Sequence, residues 1–259
     1  MIRAICCVPL SPMRAEPSHR TEMVSQLLFG ECCEILEQTK DSWARIRCSY
    51  DGYEGWCTTS HLVEVDDEDH EKRGKALTPD WVVSLEYNGH PMMVPMGSSL
   101  TGMRNGKAKW RKNQVHYKGG TWDPATASDD AKSIRQLTFK FLNTPYLWGG
   151  KSVFGIDCSG FTQSVFKFLD IPILRDAAQQ ATQGEPVGFL EETRTGDLAF
   201  FDNEEGRITH VGILLKPNEI IHASGKVRID KIDNMGIVQA ENFQRTHHLR
   251  IIKRFLPEA

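Results

Sequence analysis

The stretch GIDCSGFTQSVFKFLDIP, residues 155–172, decides how the C-terminal half of the chain is built. Phe161, Val165, Phe168 and Leu169 recur at helical spacing, and Pro172 cannot continue a helix. The spacing predicts a helix that opens at Cys158. A thiol there would lie beside unpaired backbone N–H groups at the positive end of the helix, which favours thiolate over thiol. A nucleophile of this kind needs a base from elsewhere in the fold.

Two histidines offer one, His210 in ITHVGILL and His222 in EIIHASG, with the turn-prone Lys216-Pro217-Asn218 between them. An odd loop centred on Lys216 would set the two directly opposite each other on an antiparallel hairpin, pointing to one face. One imidazole would then serve as base while the other fixes its tautomer. A two-residue loop at Pro217-Asn218 would instead pair Ile213 with His222 and separate them. Taken alone, a histidine pair of this sort also fits ordinary half-buried residues.

Working outward, SDDAKSIRQLTFKFLN (128–143) reads as an amphipathic helix through Ile134, Leu137, Phe141 and Leu142. Strand-like runs follow Cys158 at 196–201, 209–215, 219–224, 226–232 and 248–255, so residues 126–259 read as an α+β domain ending in an antiparallel sheet. The first 66 residues have a different grammar. Short apolar alternations are broken by turn residues, with Asp51-Gly52 a tight hairpin signal. The acidic run EVDDEDHEKRGK (64–75) reads as a linker and domain boundary. Residues 76–125 read as a second small β-barrel. The expected fold class is therefore multidomain, two small all-β barrels before an α+β catalytic domain.

At 40% hydrophobic and 25% charged, the 259 residues suit a folded core of ordinary composition. A formal net charge of -3 gives no pull toward nucleic acid, and no apolar run is long enough to span a membrane. Neither partner is expected. Cys6, Cys7, Cys32, Cys33, Cys48 and Cys57 crowd the start without C-x-x-C spacing, which reads as reduced, buried thiols rather than a zinc site. The apolar run before Pro9 is too short for a secretory signal. A cytoplasmic protein is expected, or a secreted one if an upstream signal was removed.

These residues carry a resemblance. TPYLWGGKSVFGIDCSGFTQSVFKFLDIPILRDAAQQ, RTGDLAFFD, ITHVGILL and IIHASG occur in this order and together resemble the NlpC/p60 cysteine peptidases over about residues 129–255. The resemblance implies a papain-like fold with Cys158 as nucleophile, His210 as general base and His222 as the orienting third member. It also implies that the Tyr146 hydroxyl joins the Cys158 N–H at the oxyanion site, with no metal and no cofactor. LRDAAQQ (174–180) is similar to a segment of the branch that cleaves γ-D-glutamyl bonds in murein peptides, and GECCEILEQTKDSWARIRCSYDGYEGWCTTSHL resembles a bacterial SH3-like domain of that branch. The second β region matches an SH3-like domain less well.

By the same resemblance Glu22 and Tyr53 bind the free α-amine of an N-terminal L-Ala, where a carboxylate stabilises an ammonium. Asp157, Ser159, Arg175 and Asp176 contact the peptide, and Trp148 lines the groove. For Arg175 and Asp176 a loop-bracing role is the alternative. His116, His247 and His248 read as surface residues. The expected substrate is a murein tripeptide or tetrapeptide with lysine or meso-diaminopimelate third, cleaved to release L-Ala-D-Glu in peptidoglycan recycling. Rival expectations are a secreted open-groove wall endopeptidase, a non-catalytic wall-binding module, and an amidase or acyltransferase for lipids or polyamines. Oligomeric state is left open.

Overall fold

The computed structural model describes residues 2–66 and 76–256, so most of the expected linker, residues 67–75, lies outside the described residues. The chain divides into two compact units. One holds residues 1–126 together with Trp148–Val153, and the other holds Ala127–Leu147 and Phe154–Ala259.

In the first unit seven strands, β1 (Ile2–Cys6), β2 (Leu10–Arg14), β3 (Met23–Leu28), β4 (Cys32–Gln38), β5 (Trp43–Cys48), β6 (Glu54–Thr58) and β7 (Leu62–Val65), form a sheet in the order β3-β2-β6-β5-β4-β1-β7. Gly52, at φ 74°, turns the β5–β6 hairpin. Four more strands, β8 (Val82–Tyr87), β9 (His90–Pro95), β10 (Lys107–Trp110) and β11 (Asn113–His116), make a second antiparallel sheet. Its apolar face is not closed off from the first sheet. Leu85, Val94, Trp110 and Val115 of the four-stranded sheet share one core with Ile5, Cys7, Phe29, Cys32 and Val65 of the seven-stranded one. Gly30 sits where the two regions touch, and a Cβ there would lie 1.8 Å from the Ser99 carbonyl oxygen.

That shared core accounts for the doubled cysteines. Side chains alternate across a strand. Cys7 and Cys32 enter the shared core, while their neighbours Cys6 and Cys33 enter the other core of the sheet beside Met13, Cys48 and Cys57. All seven cysteines are free thiols.

In the second unit the Asp130 carboxylate caps helix α1 (Ala131–Phe139) by accepting the Ser133 N–H at 2.8 Å. Helix α2 (Cys158–Phe168) is buried at every residue but Lys167. It packs against a sheet that begins with β12 (Glu185–Val187) and continues through β13 (Leu198–Asp202), β14 (Ile208–Lys216), β15 (Glu219–Ser224), β16 (Lys226–Asp233), β17 (Gly236–Val238) and β18 (Arg245–Arg254). The long β18 pairs with β17 along its first half and with β13 along its second, so six strands close into a ring. Phe161 of α2 meets Phe141 edge to face at 5.7 Å.

Burial holds the thiols of Cys6, Cys33 and Cys48 well above their usual pKa, and pushes Cys57 up to about 12. A thiol that ionises more easily unfolded than folded contributes stability that is whole below about pH 9 and is lost as pH rises toward the folded value. The unfolding free energy from denaturant titrations is therefore expected to fall between pH 9 and pH 10.5, by about 1.4 kcal/mol per pH unit for each thiol involved. The fall should shrink in Cys57→Ala; an unfolding free energy indifferent to pH would contradict the burial of these groups.

Candidate active site

Asp157 sets where α2 begins. Its backbone is extended at ψ 176°, and its carboxylate accepts the Gly160 N–H at 2.6 Å and the Ser159 hydroxyl at 3.3 Å. Cys158 is then the first helical residue, 6% exposed, and its sulfur accepts from the N–H groups of Ser159 and of Val211 on β14. Burial pushes this thiol up to about 12, with Asp157 adding to the effect, and the two N–H donors and Arg175 only partly offset it. The helix end does not win here. The resting group is the thiol, where the sequence pointed to a thiolate.

The histidines meet through a register that neither simple hairpin provides. The loop is the two-residue one, since Lys216 pairs with Glu219, but the register shifts by one residue between Leu214 and Lys216. Gly212, not Ile213, then lies opposite His222. The one-residue shift returns His210 to the face of His222 as its diagonal neighbour. Gly212 has no side chain to obstruct this, and a Cβ there would come within 2.8 Å of the His222 Cβ. His210 Nε2 and His222 Nδ1 lie 2.8 Å apart.

The line of contacts runs one strand further than expected. His222 sits opposite Arg228, and the next residue on that face, Asp230, places a carboxylate oxygen 2.9 Å from His222 Nε2. Asp230 also accepts from the Arg228 guanidinium at 2.8 Å and from the Ala240 N–H at 2.8 Å. Burial alone would raise its pKa, but His222, Arg228 and Ala240 outweigh that and hold it well below the usual carboxylate range. The protons follow from these partners. His222 donates from Nε2 to Asp230 and keeps a lone pair at Nδ1, so the neutral His210 donates from Nε2 and keeps its lone pair at Nδ1. Burial pushes both histidines below their usual pKa, His210 the further, with His222 and His247 adding to the effect on His210. Asp230 is the site residue that sequence reasoning missed. A lone acidic side chain between Ile229 and Ile232 was the available signal.

The RDAAQQ segment faces inward. Arg175, 1% exposed, bonds Asp157 through both guanidinium nitrogens at 2.6 and 3.0 Å and the Ser159 hydroxyl at 3.0 Å. Gln180, fully buried, joins Thr162 Oγ1 at 2.8 Å and the carbonyls of Ser159 and Leu174. Asp176 opens the short helix α3 (Ala177–Gln180) in a reciprocal capping arrangement with Gln179. Asp157, Ser159 and Arg175 thus engage one another as a brace for the start of α2, where the resemblance cast them as peptide contacts. Tyr146 is half-buried, and burial, then Cys158 and Asp157, push its hydroxyl pKa up, so it stays a donor.

Glu22, Tyr53 and Trp148 lie in the first unit. There the Trp148 indole donates to the exposed Glu22 carboxylate at 2.6 Å, and Tyr53 packs on the Cys6–Cys57 core. Gly149, at φ 74°, passes so close to the Met23 carbonyl that a Cβ would lie 2.3 Å from its oxygen. Of the histidines read as surface residues, His116 faces Glu86 at 3.2 Å and His248 faces Asp202 at 2.8 Å. His247 departs from that reading, because its half-buried ring stacks against His210.

Comparison with known proteins finds similar chains. Residues 143–245 match the NlpC/P60 family, and residues 13–62 match the bacterial dipeptidyl-peptidase SH3 domain. The chain is 27% identical to a gamma-D-glutamyl-L-lysine dipeptidyl-peptidase of Bacillus cereus, over 86% of this chain and 74% of that protein. It is 25% identical to dipeptidyl-peptidase 6 of Lysinibacillus sphaericus, over 90% and 92%, and 36% identical to a probable endopeptidase of Haemophilus influenzae, over 42% and 67%. An NlpC/P60 family protein of Bacillus cereus shares the fold at a TM-score of 0.82 and 20% identity, over 98% of this chain and 100% of that one. The chain belongs to the NlpC/P60 family and is a cysteine peptidase.

Asp230→Asn tests the extended line. The amide can donate to His222 and reverse the tautomers, so kcat is expected to fall by about 10²-fold with KM little changed. Wild-type kcat in a folded variant would remove Asp230 from the machinery.

Proposed function

We propose that the protein hydrolyses the bond between γ-D-Glu and the following diamino acid in murein peptides with a free N-terminal L-Ala, releasing L-Ala-D-Glu. The observation that carries this reading is the exposed Glu22 carboxylate, oriented by the Trp148 indole at 2.6 Å and suited to an ammonium. An acylated L-Ala would lose that charge pairing. Tyr53 is assigned beside Glu22. The names of the Bacillus and Lysinibacillus relatives support the same bond.

In the proposed reaction the Cys158 thiol passes its proton to His210 Nδ1 as the sulfur attacks the γ-carbonyl carbon. The new imidazolium is stabilised through His222 and Asp230. The oxyanion is held by the Cys158 N–H and the Tyr146 hydroxyl. His210 then protonates the departing amine, and water hydrolyses the thioester. The enzyme would act on imported peptides in the cytoplasm.

The test incubates the protein with L-Ala-γ-D-Glu-L-Lys, the meso-diaminopimelate analogue, and the N-acetylated form of each, with products identified by mass spectrometry. L-Ala-D-Glu should appear from free-amine peptides alone, and Glu22→Gln should raise KM at least about tenfold. Equal cleavage of acetylated and free peptides would contradict amine recognition.

A further inference from the structure

His247 enters the site from β18, across from Ile237 on β17. Its ring lies nearly parallel to His210, 26° between planes and 4.1 Å between centroids. It meets His222 edge to face at 5.7 Å and Phe201 at 5.9 Å. The register explains the placement. Phe201 pairs with His210 on one side and with Leu249 on the other, and His247 is the next residue on the Leu249 face. The imidazole of His247 thus covers the His210–His222 hydrogen bond from the side. Its own Nδ1 lies 2.8 Å from Thr246 Oγ1, which fixes the ring in its plane.

We propose that His247 is a positioning residue for the peptidase reaction: its uncharged ring, flat against His210, holds that imidazole in line for proton transfer. A second imidazolium in the same place would repel the charge that forms on His210. The ring also keeps water from the His210–His222 bond, which strengthens that bond in its low-dielectric surroundings.

The groups around His247 favour the uncharged form. His210 on β14 and His222 on β15 face it as neutral rings, and Phe201 on β13 carries no charge. Asp230 on β16 attracts a proton, but it is already engaged by His222 and Arg228. On its own strand, Arg245 pairs with Asp233, and His248 faces Asp202. Burial, then His222, lowers the His247 pKa to about 4, with Asp230 opposing.

The proposal rests on the Cys158–His210 reaction, so its test includes a readout that needs no substrate. His247→Phe keeps a flat ring and cannot protonate; His247→Ala removes the ring; His247→Lys places a cation there. His247→Phe should keep kcat within about threefold of wild type and retain activity to lower pH, because one inhibitory protonation is gone. His247→Ala should lose kcat at least about tenfold with KM little changed, and His247→Lys should lose more. Without substrate, NMR titration should show the His210 pKa rising in His247→Ala, where the imidazole is opened to water, and staying low in His247→Phe. If His247→Ala keeps wild-type kcat and the wild-type His210 titration, the proposal is overturned. It is overturned equally if His247→Phe loses as much kcat as His247→Ala. A wild-type protein inert on every peptide, with the His210 shift still present, would count against the proposed substrate while supporting the role of His247.

Discussion

One extra residue in a hairpin governs the chemistry of this protein. With Pro217 and Asn218 alone forming the loop, Ile213 would face His222 and His210 would point to the other side of the sheet. The shift at Leu215 corrects this by one position. Its backbone is held in place, because Thr195 donates to the Leu215 carbonyl at 3.0 Å and Gly196 donates to that of Leu214 at 2.9 Å. From that register follow the diagonal contact between the histidines and the need for glycine at 212, while the separate β15–β16 register carries the line to Asp230 one strand beyond.

Electrostatics then settles how the site rests. The start of a helix favours a thiolate at Cys158, yet enclosure in the protein is the larger effect, and the acidic cap at Asp157 adds to it. His210 is enclosed too and resists a proton. Thiol and imidazole therefore rest uncharged, and in the proposed reaction charge appears only as the bond to substrate forms. Asp230, Arg228 and the Ala240 N–H are placed before that moment, so the proposed reaction needs little reorganisation when His210 becomes a cation.

The beginning of α2, the strands that bear the two histidines and the Asp51-Gly52 hairpin were legible in the sequence because each is a local pattern of spacing and turn chemistry. What was not legible depends on register or on burial at a distance. A one-residue shift inside GILLK has no signature in composition, so the diagonal placement of His210 could not be read, while Asp230 reaches His222 through the separate β15–β16 register. Arg175 read either as a peptide contact or as a loop brace, and its burial against Asp157 is a contact at a distance that the segment alone does not carry. The doubled cysteines made sense only once the four-stranded sheet was seen to share a core with the other face of the first sheet.

The proposed reaction depends on His210 Nδ1 being the nitrogen that receives the proton. Long-range proton–nitrogen NMR of the imidazole rings in the resting protein at pH 7 measures this directly. His210 and His222 are expected both neutral and both protonated at Nε2. A proton on Nδ1 of His210, or an imidazolium there with Cys158 ionised, would contradict it.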